Sequence, residues 1–314
     1  MTSVKPSSSV VRVTPPRPTT IVDAPRLSRK LGVDLVLASE TLQYTGSFKF
    51  RAAYNVASQV KQAHIITGSS GNFGQALAYA CSLFGKRCTV VMPSTATKIK
   101  VDAVREYGAD ADLVDVNKTS RLERVAQLAR QFPEAYVASP YDDALVIEGN
   151  AGLATELFAL GLDLDVIIAP IGGGGLTSGL VKAVQKSGKS TQVFAAEPAL
   201  ANDAAESFRA GHLVTQAAES ATIADGARVV RLGDRNWEIL SQGLAGVIEV
   251  SEEQIKEGVR LLFAFANLKA EPTGALALGA VLAEPARFKG KRVCCVISGG
   301  NADPALYAQL VEGI

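Results

Sequence analysis

One lysine in the sequence has a setting that suits a nucleophilic amine. Lys49 follows a Gly-Ser pair in the segment TGSFKFRAA (residues 45–53), near the start of a helix predicted over residues 47–60. Phe48 and Phe50 flank it. An aromatic, partly dry environment lowers the pKa of a lysine because it disfavours the charged form, so the free amine becomes available. We therefore predict that Lys49 is catalytic rather than a solvated surface charge.

A run of four glycines has the character of a phosphate site. The segment GGGGLTSG (residues 172–179) lies between a predicted strand and a predicted helix. Glycines let the backbone approach a phosphate closely, and a helix N-terminus offers free N–H groups and a positive dipole end. A tight turn needs one glycine, so four favour phosphate binding. The residues predicted to bind it are Gly172, Gly173, Gly174, Gly175 and Leu176.

Two further polar loops also follow predicted strands. SSGNFGQ (residues 69–75) comes after HIITG, and SGGN (residues 298–301) comes after RVCCVI. Either loop could simply cap the helix that follows it. However, open parallel sheets bind ligands beyond the carboxyl ends of their strands, and the glycine run lies at such an end as well. We therefore expect the three loops to converge on one cleft.

The pattern of elements predicts an α/β fold. Short apolar runs alternate with longer helical segments, and apolar strands without strict alternation are typical of parallel sheets covered on both faces. Ser251 and Gln254 form a capping-box arrangement that opens another helix. Strands are predicted at 33–38, 64–68, 87–92, 111–116, 135–139, 165–170, 191–197 and 292–298. The other predicted helices are 73–84, 97–107, 119–131 and one near 147–160.

Composition sets the expected partners. The net charge is +1, from 32 basic and 31 acidic residues, which gives no electrostatic reason to expect nucleic acid or an anionic membrane. No segment reaches the length of about 18 uncharged apolar residues that a membrane span needs, and the N-terminus lacks a signal-peptide core. The four cysteines make no metal or disulfide pattern, so we expect reduced thiols in a cytoplasmic protein.

Together these motifs resemble the serine/threonine dehydratase and serine racemase family of fold-type II pyridoxal-phosphate (PLP) enzymes. The matching motifs span residues 40–301 in the family's order and spacing. The resemblance implies two domains, each with a mostly parallel sheet flanked by helices, and PLP in the cleft between them. The large domain would comprise residues 1–43 plus 141–314, and the small domain residues 44–140. It also implies a homodimer.

The resemblance assigns roles around the cofactor. Lys49 would form the Schiff base with PLP, Phe48 would lie against the ring, and Ser298 would hydrogen-bond the pyridine nitrogen. A neutral serine does not force that nitrogen to stay protonated, so the ring is a milder electron sink, which suits β-elimination. Asn72 would bond the 3′-oxygen. The other implied cofactor residues are Glu271, Asn301 and the glycine run with Leu176.

The segment after the first small-domain strand would hold the substrate. In racemases of the family, the serine that matches Ser70 handles the Cα proton on the face opposite the lysine. Serine also occurs there in dehydratases, so it permits racemisation without proving it. Phe73 stands where histidine is usual, which could favour a bulkier or more apolar β-substituent. The residues expected to bind substrate are Ser69, Ser70, Asn72 and Phe73.

The segment EPALAND (residues 197–203) would bind a divalent cation. In serine racemases a glutamate, a carbonyl four residues on and an aspartate six residues on are the ligands, which here are Glu197, Ala201 and Asp203. Oxygen ligands suit Mg²⁺ or Ca²⁺. A solvated acidic loop is the alternative interpretation of this segment.

The expected activity is dehydration of L-threonine or L-serine to a 2-oxo acid and ammonia, with Lys49 as the base that removes the Cα proton. Two alternatives share the cofactor: an amino-acid racemase, and a dehydratase of 3-hydroxyaspartate or another β-hydroxy amino acid. A cysteine-synthase-like β-replacement matches the SFKFR context less well. A PLP-binding or amino-acid-sensing protein without turnover is the alternative outside catalysis.

Overall fold

Two β-sheets organise the chain, which the computed structural model describes over residues 14–69 and 71–313. The described strands are β1 (Thr20–Asp23), β2 (Asp34–Ser39), β3 (His64–Gly68), β4 (Arg87–Pro93), β5 (Asp110–Val114), β6 (Tyr136–Val137), β7 (Val166–Pro170), β8 (Gln192–Pro198), β9 (Gly246–Val250) and β10 (Arg292–Ile297). The described helices are α1 (Pro25–Leu31), α2 (Lys49–Gln59), α3 (Asn72–Leu83), α4 (Lys98–Glu106), α5 (Arg121–Gln131), α6 (Ala144–Ala159), α7 (Gly175–Ser187), α8 (Asp203–Ala210), α9 (Asp234–Gly243), α10 (Glu252–Ala266), α11 (Pro272–Ala283), α12 (Pro285–Phe288) and α13 (Pro304–Glu312).

The larger sheet has the order β1-β2-β10-β7-β8-β9, and its pairs are parallel except for β1 with β2. Successive side chains of a strand point to opposite faces. Val166 and Ile168 accordingly pack into the core on one face, together with residues of α10 and α11. Ile167 and Ala169 pack on the other face with residues of α6 and α7. Burial on both faces explains why this strand is apolar throughout.

The smaller sheet has the order β5-β4-β3-β6 and is entirely parallel. Its main core contains Phe50 from α2, Phe73 and Leu77 from α3, and Ile65 from β3, all fully buried. β6 is shorter than the predicted strand at 135–139. It pairs with β3 through two residues, and the chain then leaves the sheet toward Pro140, whose ring nitrogen has no hydrogen to donate to a ladder.

The α/β class with mostly parallel sheets is confirmed. The predicted strands and helices are present with shifts of a few residues at their ends, and the Ser251–Gln254 capping box is present at the start of α10. The domain boundaries at 43/44 and 140/141 stay a prediction. All four cysteines are buried and free. None of the described helices has the length and apolarity to cross a membrane.

A buried ion network ties α2 to the N-terminal segment and to α6. The Arg51 guanidinium donates to Glu40 Oε2 at 2.8 Å, to Glu156 Oε1 at 2.8 Å and to Thr19 Oγ1 at 2.8 Å. The side chains of Arg51 and Glu40 are only 3% and 0% exposed. Because Arg51 follows Lys49 by two residues, the network fixes the first turn of the helix that carries the predicted catalytic amine.

Replacing Arg51 with alanine should lower the free energy of unfolding by about 3–5 kcal/mol, because the buried Glu40 carboxylate loses its counter-charge. Urea-induced unfolding measures the difference. The matched control is Arg124→Ala, whose ion pair with Asp112 is short at 2.6 Å but more exposed, at 33% and 20%. That loss should be about 1 kcal/mol or less. Equal losses in the two variants would contradict the structural importance of the Arg51 network.

Candidate active site

The segments before α2 and after β10 lie directly against each other. Ser47 and Gly299 form an isolated antiparallel bridge, and the N–H of Phe48 donates to the Ser298 carbonyl at 2.9 Å. The N–H of Gly300 donates to the Gly46 carbonyl at 3.0 Å. The predicted lysine segment and the SGGN segment are therefore one structural unit, although they lie far apart in the chain.

The amine of Lys49 lies between two aromatic rings and a carbonyl. Its Nζ donates to the Pro140 carbonyl at 2.7 Å, and lies 5.1 Å from the ring centroid of Phe48 and 5.7 Å from that of Phe73. Burial lowers the pKa of Lys49 to about 8, against a smaller opposing effect from the negative charge of Glu271. A substantial fraction of the amine is therefore neutral near pH 8, as a nucleophile or base requires.

A chain of side-chain hydrogen bonds connects three of the predicted cofactor residues. Asn72 Nδ2 donates to Glu271 Oε1 at 2.8 Å, while Asn301 Nδ2 donates to Asn72 Oδ1 at 2.8 Å and to the Thr45 carbonyl at 2.7 Å. Glu271 is buried, and this burial, followed by the nearby charge of Asp225, raises its pKa to about 7. These contacts bring α3, α11 and the loop after β10 together beside Lys49.

The glycine run has close neighbours that leave no room for side chains. A Cβ at Gly173 would overlap the ring of Tyr141, and a Cβ at Gly175 would lie 2.8 Å from the Tyr141 carbonyl oxygen. Gly174 has a φ of 97°, in the left-handed region, and precedes the first residue of α7. No described residue accepts a hydrogen bond from the N–H groups of residues 172–174. Packing accounts for the absent side chains, and the free N–H groups remain for an anion.

Sequence reasoning missed two residues that hold this loop. Asn236, fully buried in α9, donates from Nδ2 to the carbonyls of Gly173 at 2.8 Å and Tyr141 at 3.0 Å. Tyr141 follows β6, so the rule of polar loops at strand ends could have found it. Asn236 lies within a helix, and no local signal distinguishes it from a solvated asparagine.

The remaining predicted residues have mixed placements. The Ser69 hydroxyl accepts hydrogen bonds from the N–H groups of Gly71 and Gly74, at 3.4 and 3.3 Å, so it stabilises the start of α3. Ser298 is buried at the end of β10, and Phe73 is buried in the core of the smaller sheet with its ring near Lys49. Ser70 lies outside the described residues, so its predicted catalytic role stays a prediction.

Both carboxylates of the predicted metal segment are buried rather than solvated. The Glu197 carboxylate accepts from the N–H groups of Ala204 and Ala205, each at 2.8 Å, and so caps the N-terminus of α8. Both carboxylate oxygens of Asp203 are buried without a hydrogen-bond partner among the described residues. Burial raises the pKa of Glu197 well above its usual range and that of Asp203 to about 7. The interpretation as a solvated acidic loop is therefore wrong.

These metal-segment residues offer a hard cation only a few oxygen ligands. Two carboxylates and the carbonyl of Ala201 would supply oxygen ligands, the type that Mg²⁺ and Ca²⁺ prefer. The described part of the chain contains no group of three or more acidic, histidine or cysteine side chains placed to hold a metal ion. Water would therefore have to complete the coordination, so the cation stays a proposal.

The fold and the site define an α/β protein with a partly neutral lysine beside a glycine-lined helix N-terminus. The chain belongs to the pyridoxal-phosphate dependent enzyme family, whose model matches residues 14–299. It is 35% identical over 291 residues to the beta-hydroxyaspartate dehydratase of Paracoccus denitrificans, with 91% of each chain covered. It is 32% identical over 298 residues to the serine racemase of Schizosaccharomyces pombe, which covers 94% of this chain and 92% of that one.

The structural comparison agrees with the sequence comparison. The crystal structure of the T.th. threonine deaminase superposes with a TM-score of 0.85 and 38% sequence identity, over 91% of this chain and 92% of that chain. The resemblance inferred from the motifs is therefore confirmed at the level of the family and its fold.

The chemistry of the site residues fits PLP. The free N–H groups of the glycine run would hold the phosphate, and the partly neutral Lys49 amine can react with an aldehyde carbon. The hydroxyl of Ser298 is bonded by no described residue and remains available for the ring nitrogen. Phe48 supplies an aromatic surface beside the amine.

The pH at which Lys49 becomes neutral can be measured directly. Cofactor-free protein is treated at a series of pH values with a limiting amount of an amine-reactive acylating reagent, and peptide mass spectrometry measures the acylated fraction of Lys49. The midpoint of this pH curve should lie at about pH 8. A Glu271→Gln control should have a lower midpoint, because the carboxylate charge raises the pKa of the amine. A midpoint near 10.5, the ordinary value for lysine, would show that the amine is not desolvated.

Cation binding should be visible as a stability change. A saturating excess of Mg²⁺ or Ca²⁺, at about 100 times the dissociation constant, should stabilise the wild-type protein by about 2.7 kcal/mol, measured by thermal unfolding. Asp203→Asn should lose this response, because it removes an anionic ligand. Glu206→Gln, three residues along α8, is the matched control and should keep it. An equal response in Asp203→Asn and wild type would place the cation elsewhere.

Proposed function

We propose that this protein is a PLP-dependent lyase that dehydrates L-threonine or L-serine to a 2-oxo acid and ammonia. The observation that carries the proposal is the Lys49 amine, which is partly neutral near pH 8 and is held at 2.7 Å from the Pro140 carbonyl. Membership of the enzyme family supports the cofactor. The threonine deaminase among the similar structures supports the choice of substrate.

We infer that residues from three loops would hold the cofactor next to Lys49. The glycine run would hold the phosphate, Asn72 the phenolic oxygen and Ser298 the ring nitrogen. PLP, when bound, supplies an electron sink for the charge that develops at the substrate's Cα. A neutral hydroxyl at Ser298 keeps that sink moderate, which favours prompt loss of a β-substituent over a long-lived carbanion.

Lys49 is the proposed general base for the Cα proton. Its pKa near 8 matches a base that works near neutral pH, since the best catalytic pKa lies close to the operating pH. The rings of Phe48 and Phe73 keep water away from the amine, and the Pro140 carbonyl accepts one of its hydrogens. The β-hydroxyl then leaves as water, with a proton equivalent to the one removed from Cα, and yields an enamine. The enamine tautomerises to an imine, which water hydrolyses to the 2-oxo acid and ammonia.

A second candidate substrate is 3-hydroxyaspartate, which carries a further carboxylate. Arg121 and Arg231 both lie near enough to Tyr141 to lower its pKa, against the larger raising effect of burial. We infer that these two cations near Tyr141 would receive the second carboxylate of such a substrate. Arg121 is already paired with Glu219 at 3.0 Å and Arg231 with Asp234, so such a substrate would have to displace one of these pairings. The relative from Paracoccus denitrificans is described as a dehydratase of this substrate.

One reaction series tests the proposal. The protein, loaded with PLP and Mg²⁺, is incubated with L-threonine, L-serine or L-threo-3-hydroxyaspartate, and both 2-oxo acid and the D/L ratio of the remaining amino acid are measured. We expect 2-oxo acid from threonine or serine with little D-enantiomer. Oxo acid only from 3-hydroxyaspartate would favour the second candidate. Substantial D-enantiomer would make the protein a racemase and give Ser70 a catalytic role.

Replacing Lys49 with alanine should abolish the absorbance band of the bound cofactor and reduce turnover by about a thousandfold or more, because nucleophile and base are lost together. Absorbance spectra and 2-oxo acid release measure the two effects. The control is Lys98→Ala, at an exposed lysine on α4 in a surface ion pair with Asp102, which should change neither. A Lys49→Ala variant with wild-type turnover would refute the scheme.

A further inference from the structure

Asn72 belongs to a series of hydrogen bonds that runs from the Thr45 carbonyl to Glu271. The groups at the two ends of this series fix the direction of each bond. At one end is the Thr45 carbonyl, which can only accept, so the group 2.7 Å from it must be the amide nitrogen of Asn301. The same nitrogen lies 2.8 Å from the Asn72 amide and must donate to its oxygen. The nitrogen of Asn72 is then left to face Glu271, at 2.8 Å.

This polarity leaves one hydrogen of Asn72 unused. An asparagine amide has two N–H donors on its nitrogen and one acceptor oxygen. In Asn72 the oxygen accepts from Asn301, and one N–H donates to Glu271. No other described residue accepts a hydrogen bond from the Asn72 amide nitrogen, so its second N–H remains free, close to Glu271. A rotated amide would instead place the oxygen against the Glu271 carboxylate, which is unfavourable.

The backbone around Thr45 is shaped to support this arrangement. Thr45 has a φ of 60°, in the left-handed region that non-glycine residues seldom occupy, and only Asn267 shares this property among the described residues. A Cβ at Gly46 would overlap the amide of Asn301. An uncommon conformation persists only where surrounding contacts determine it. Here it directs the Thr45 carbonyl to Asn301 while glycine at 46 makes room.

We propose that Thr45, Asn301 and Glu271 act as positioning residues, which hold the Asn72 amide in one orientation so that its second N–H can donate to the cofactor's phenolic oxygen. This inference rests on the proposed function, because it requires PLP at the site. A hydrogen-bond donor at that oxygen stabilises the phenolate over the phenol. The amide of Asn301 therefore controls the cofactor's protonation without contacting it.

The test compares two Asn301 variants loaded with PLP. Asn301→Ala removes the donor without adding charge, and Asn301→Asp replaces it with an acceptor that favours the rotated Asn72 amide. Both should raise the phenol absorbance band relative to the phenolate band at a given pH, and more so in the aspartate variant. Cofactor affinity, measured by equilibrium dialysis, should fall by about two- to tenfold, the range of a single hydrogen bond.

Two controls separate this effect from charge and from misfolding. Ala302→Asp adds the same charge at the neighbouring residue and should leave the band ratio unchanged. Circular dichroism and thermal unfolding establish that each variant is folded.

The outcomes distinguish this inference from the proposed function. A wild-type protein without a cofactor band, or a Lys49→Ala variant that keeps it, overturns the function and the inference together. A wild-type band that both Asn301 variants leave unchanged overturns only the inference. Equal band changes in Asn301→Asp and Ala302→Asp, with Asn301→Ala unchanged, would make charge the cause and would also overturn it.

Discussion

The structure depends on keeping one amine both dry and in a fixed position. Lys49 lies where the segment before α2 meets the loop after β10, so groups from both sheets surround it. Two aromatic rings and the Pro140 carbonyl replace the water that the ammonium ion would otherwise prefer. Burial disfavours the charged ammonium form, and this lowers the pKa of Lys49. The same burial therefore makes the amine more reactive.

Such an amine is useful only if the helix that carries it does not move. Lys49 is the first residue of α2, and no side chain caps that helix. Two other contacts hold the helix start: the hydrogen bond from Phe48 to the Ser298 carbonyl, and the buried network around Arg51. The first joins α2 to the larger sheet and the second to the N-terminal segment and α6. Stability and catalytic geometry therefore share residues two positions apart.

Strands and binding loops could be predicted from the sequence because each depends on a local pattern of residues. Strands such as β7 are apolar because both faces are buried, and the loops after them are polar or glycine-rich because ligands bind at those ends. β1 and β9, the two edge strands of the larger sheet, were not predicted. The hydrogen bonds of Asn236 and Asn301 could not be predicted, because contacts between residues far apart in sequence leave no local pattern.

Phe73 limits where substrate specificity can come from. Its buried ring faces the amine and offers no polar group, so under the proposed function other, charged residues would have to discriminate between substrates. Two ion pairs connect the smaller-sheet segment to residues 219–225: Lys100–Asp225 at 3.2 Å and Arg121–Glu219 at 3.0 Å. Each is partly exposed, and such pairs contribute only about 0–1 kcal/mol. Under the proposed function, exchanging one protein carboxylate for a substrate carboxylate at such a pair would therefore cost little free energy.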